Sequence, residues 1–78
     1  MRYNISEIVH SSFEYDDLYH RPDLRRAILS LLNPSLEKIK TTRDLLSKAN
    51  LPWPVHHHII IRLELIEEII PRDGIYHP

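Results

Sequence analysis

The chain has 78 residues, no cysteine, one glycine and six prolines, and a net charge of −1 with its histidines neutral. That length allows one small domain, residues 1–78, which hides only about 60% of the surface of its unfolded form. The missing cysteines exclude disulfide staples, thiolate metal sites and a Cys nucleophile, and a lone Gly74 excludes the Gly-rich phosphate loops.

Residues 1–20 form an N-terminal helix and connector. Asn4-Ile5-Ser6-Glu7 has the residue types of a helix start, with Asn4 as cap and Glu7 able to reach back. Ile5, Ile8, Val9 and Phe13 follow at helical spacing. From Glu14 to His20 the chain is acidic and aromatic without a clean period, which reads as a connector. Pro22 suits a first helical turn and Asp23 its positive end, after which Leu24, Ala27, Ile28, Leu31 and Leu32 make one apolar stripe that Asn33-Pro34 ends.

The stretch from Pro34 to Thr41 is ambiguous: Leu36 and Ile39 fit a short helix, and Lys38-Ile39-Lys40 fits a brief strand. Thr41-Thr42 then reads as the cap of a helix running to Ala49, stopped by Asn50, the best residue after glycine for a left-handed position. Leu51-Pro52-Trp53-Pro54 is a stiff connector. From Val55 to Ile70 both periods are present, with Val55, Ile59, Leu63, Ile66 and Ile70 on a helical seam and Ile59, Ile61, Leu63 and Leu65 on one face of a strand. The length between Pro54 and Pro71 favours the helix, at the cost of a second apolar stripe, Ile61 and Leu65, away from the main seam. Asp73-Gly74 between apolar residues predicts a hairpin over 69–77.

Charge is unevenly spread. Residues 1–20 carry −3, residues 21–48 carry +4 and residues 49–78 carry −2. A basic middle of this kind is either a solvated surface or a patch for a polyanion.

Taken in order, these elements resemble the winged helix-turn-helix superfamily over residues 22–77. Ala49-Asn50-Leu51 looks like the corner of the motif, the helix from Pro54 like its recognition helix, and 69–77 like its wing. The fold expected is mainly α with a small β-hairpin: a three-helix core plus an N-terminal helix. The resemblance implies a transcriptional regulator that binds double-stranded DNA, with His56, His57 and His58 at the base edges. Thr41, Thr42 and Arg43 would meet the phosphate backbone, and Lys38, Lys40, Lys48 and Arg72 would add phosphate contacts.

Other readings compete. A tryptophan between prolines is more often a core plug than a stacking platform. Consecutive histidines on a helix point about 100° apart, so they suit a metal poorly. No metal or cofactor is expected. Histidine neighbours such as His20 with Asp16 and Asp17 do not amount to a catalytic pair, and no enzyme is expected. No run approaches the roughly 18 apolar residues of a membrane span, and Met1 to Glu7 hold no apolar leader, so a cytoplasmic chain without membrane partners is expected. The rival to DNA binding is a protein-interaction module, an adaptor or inhibitor, docking through Ile61, Leu65 and the acidic N-terminal segment. In either case the apolar surplus of the last helix predicts a homodimer or a larger protein partner.

Overall fold

In the computed structural model, which describes residues 4–70, every regular element is helical. Four α-helices, α1 (Ile5–Ser11), α2 (Pro22–Ser30), α3 (Leu36–Lys48) and α4 (Trp53–Ile69), are joined by two short 3-10 turns, Ser12–Glu14 and Asp16–His20, and by brief loops. The expected β component is therefore corrected: there is no strand among the described residues. Ile69 closes α4 and Ile70 caps it with φ −68 and ψ 128, the extended backbone required of a residue before proline. The remainder of the hairpin expected over 69–77, with Arg72, lies outside the described residues.

Several local signals are realised as the residue types suggest. The Asn4 side chain accepts from the amides of Ser6 and Glu7 at 2.9 and 3.4 Å, satisfying two otherwise orphaned donors of α1. Pro22 opens α2. Asn50 has φ 53, the left-handed conformation that turns the chain from α3 into α4.

The basic stretch before Thr42 is neither a strand nor a separate short helix. It is the first turn and a half of α3, which starts at Leu36, capped by Ser35 accepting from the Lys38 amide at 3.2 Å. Thr42 is thus mid-helix. Ile39, Thr42, Leu46 and Ala49 form one buried stripe, and the Thr42 hydroxyl donates to the Lys38 carbonyl one turn back at 2.8 Å. A threonine with its hydroxyl bonded internally packs as an apolar residue, which carries the helix through what looks like a cap.

The core gathers Ile8 and Val9 from α1, Leu24 and Ile28 from α2, Ile39 and Leu46 from α3, and Val55, Ile59, Leu63 and Ile66 from α4. Leu18 is also buried and Tyr15 packs against the core, so the acidic connector is anchored by two of its side chains. α4 packs against α1, the first 3-10 turn and α3. Its buried seam, at 4-4-3-4 spacing, leaves the opposite side of the helix facing out.

Candidate functional site

The outward side of α4 is unusual for a surface. Residues 53, 57, 61, 64 and 68 recur at helical spacing on the side opposite the buried seam. Trp53 is 70% exposed and Ile61 37% exposed; His57, Glu64 and Glu68 are also exposed, and Leu65 is half-buried at the margin. Trp53 is not the core plug expected of it. Pro52 and Pro54 bracket it at the very start of the helix, where its backbone direction carries the indole away from the core. It lies instead flat against the His57 imidazole one turn on, with ring centroids 4.6 Å apart and planes 9° from parallel.

The histidine triplet divides as helix geometry requires. His57 faces out, and His56 is half-buried. His58 turns inward against the 3-10 turns, where the Tyr15 ring meets it edge-on at 5.0 Å. Its Nε2 is enclosed without a hydrogen-bond partner among the described residues. Burial, then the neighbouring Arg62 guanidinium, hold the His58 imidazole below its ordinary pKa, while the Ser11 backbone and Glu14 act in the opposite direction. Arg62 itself donates to the Ser11 hydroxyl at 2.9 Å, and this hydroxyl donates to the Ile8 carbonyl at 2.9 Å, tying α4 to the end of α1.

The described residues expected at DNA differ in exposure and in their contacts. Thr42 is fully buried. Arg43 pairs with Glu67 of α4 at 3.1 Å, and the Lys38 ammonium donates to the Asn33 carbonyl at 2.6 Å, covering the end of the α2 loop. His58 is engaged inside. Lys40, Lys48, His56 and His57 remain at least partly exposed, while no helix starts at Thr42 to offer its amides to a phosphate. Ile61 of the second stripe lies on the outward side of α4 together with Trp53 and His57, whereas Leu65 packs partly against the core. The signal that links the outward three is the 4-4 spacing of 53, 57 and 61.

Other features are less organised. Leu29, Leu32 and Leu36 are exposed around the α2–α3 loop, and Tyr19 is 61% exposed with the Arg25 guanidinium 5.1 Å above its ring. The acidic Glu7, Glu14, Asp16 and Asp17 are all exposed. Among the described residues no group of three His, Asp or Glu side chains could hold a metal ion, and no helix is long and apolar enough to cross a membrane. No family model matches the chain, and no curated protein or solved structure does so.

Proposed function

We infer that this chain is a protein-interaction module whose docking surface is the outward side of α4. One observation carries the reading: a tryptophan held in the open between two prolines, stacked on His57 and continued along the helix by exposed Ile61. Tryptophan, with tyrosine and arginine, is enriched among the side chains that dominate binding energy. The stack and the prolines restrict its rotamers before any partner arrives, which lowers the ordering cost of association. The engagement of Arg43 by Glu67 and of Lys38 by the Asn33 carbonyl also supports this reading over a phosphate-tracking surface.

The test is site-specific photo-crosslinking in the cell, with benzoylphenylalanine placed at Ile61 and, as a control, at Lys40 of α3. Protein adducts from position 61 and not from position 40 are expected. Absence of adducts from position 61, together with duplex DNA binding that falls steeply with salt, would replace the reading with the nucleic-acid one.

A further inference from the structure

We propose that the occupant of this surface is a second copy of the same chain, its α4 lying antiparallel to the first across a two-fold axis beside Ile61. The inference rests on the reading above and names its partner.

The argument starts from the asymmetry of α4 along its own length. The outward residues of the N-terminal half are Trp53, His57 and Ile61, aromatic and apolar. Those of the C-terminal half are Glu64 and Glu68, exposed and in no ion pair among the described residues. The first half also holds the helix N-terminus, which has no side-chain cap and carries the positive end of the helix dipole. A helix face with two carboxylates at its C-terminal end and the positive end of the dipole at the other is complementary in charge to its own reverse.

In an antiparallel pair centred on residue 61, positions whose numbers sum to about 122 lie opposite one another. Ile61 then meets its own equivalent at the centre, an apolar contact that a two-fold axis makes self-complementary. His57 falls beside the partner copy's carboxylate at position 64, on the same side of the seam, where its ring N–H can donate. The indole of Trp53 falls beside the position-68 carboxylate at each end. Parallel pairing would instead set both glutamates against their equivalents and align the two helix dipoles, so charge selects the antiparallel arrangement. The outward spacing, 57-61-64-68, has the 4-3-4 period of a two-helix seam, with Ile61 as its one apolar member. One such seam of about four turns sits at the low end of interface sizes, so a weak, concentration-dependent dimer is expected rather than a permanent one.

The absence of native cysteine gives a clean test with the full chain. His57→Cys and Glu64→Cys variants, mixed and mildly oxidised, should form the 57–64 heterodisulfide several-fold faster than either variant forms its own homodisulfide. Sedimentation velocity should show wild type shifting from monomer to dimer with concentration, and Ile61→Glu remaining monomeric with an unchanged helical circular-dichroism spectrum. Faster homodisulfide than heterodisulfide formation would overturn the antiparallel arrangement. A wild-type chain that stays monomeric while position 61 crosslinks to a different protein in cells would overturn self-pairing and leave the docking reading standing. A monomer with no protein adduct at position 61 would overturn both.

Discussion

The Trp53 indole and the His57 imidazole lie 4.6 Å apart and nearly parallel, on the outside of the helix that supplies more of the core than any other from its opposite side. A large aromatic surface is thereby presented to solvent by a rigid element. The cost of exposing it, on the order of 2 kcal/mol of unrealised apolar burial, is recovered only if something covers it.

Removing that ring separates a binding role from a structural one. Trp53→Ala is expected to change unfolding free energy by no more than about 0.5 kcal/mol, as for other exposed positions. Ile59→Ala, on the buried seam of the same helix, is expected to cost roughly 2–5 kcal/mol. Urea denaturation of both variants, at concentrations where the chain is monomeric, checks the contrast. A Trp53→Ala loss comparable to that of Ile59→Ala would make Trp53 a structural residue.

The turn between α3 and α4 depends on one backbone conformation. Asn50 sits at φ 53, which glycine adopts freely and alanine resists. Asn50→Gly is expected to be near neutral, and Asn50→Ala to destabilise by about 1 kcal/mol. Equal midpoints for the two variants in thermal melts would show that the corner is held by α3–α4 packing alone.

His58 should make stability depend on pH. Its folded-state pKa is depressed by burial and by Arg62, so the native state binds fewer protons than the unfolded chain once the pH nears the ordinary histidine value. Stability is therefore full above that value and is lost as pH falls through it toward the depressed folded value. The groups around the ring are Tyr15, Glu14 and the Ser11 backbone from the connector side, and Arg62 from α4 itself. His58→Phe, which keeps an aromatic ring against Tyr15, should lose less stability than wild type between pH 7.5 and pH 5.5. Identical losses in the two proteins would remove His58 from the explanation.

Thr42 distinguishes the internal role seen here from a surface one. Thr42→Val removes a hydroxyl whose donor is satisfied within its own helix and should shift stability by no more than about 1 kcal/mol in either direction. Thr42→Arg, harmless for an exposed phosphate contact, should unfold the chain or lower its melting temperature sharply, because the site is fully buried. A well-folded Thr42→Arg variant would contradict the placement of α3.

Much of the helical layout can be read from the residues: the cap at Asn4, the helix-opening Pro22, the left-handed Asn50, and the length of α4 between its prolines. The outward Ile61 is legible too, because helical period separates it from the seam, whereas Leu65, expected beside it, packs partly against the core. Three features are not. Thr42 has the chemistry of a cap and the volume of a core residue, and only the competing Ser35 cap decides between them. The direction of Trp53 depends on where the helix begins relative to Pro52 and Pro54, which composition does not report. The hidden member of the histidine triplet is set by which side of α4 the 3-10 turns cover, a tertiary fact with no local signal.

The most direct measurement uses the only tryptophan in the chain, which happens to sit in the proposed docking surface. Its fluorescence emission, followed through a dilution series of the purified full chain and again after addition of duplex DNA, reports what covers α4. A blue shift with rising protein concentration, absent in Ile61→Glu and unaffected by DNA, is the expected result. Emission that stays that of a solvated indole at every concentration, and shifts only when DNA is added at low salt, would contradict the account.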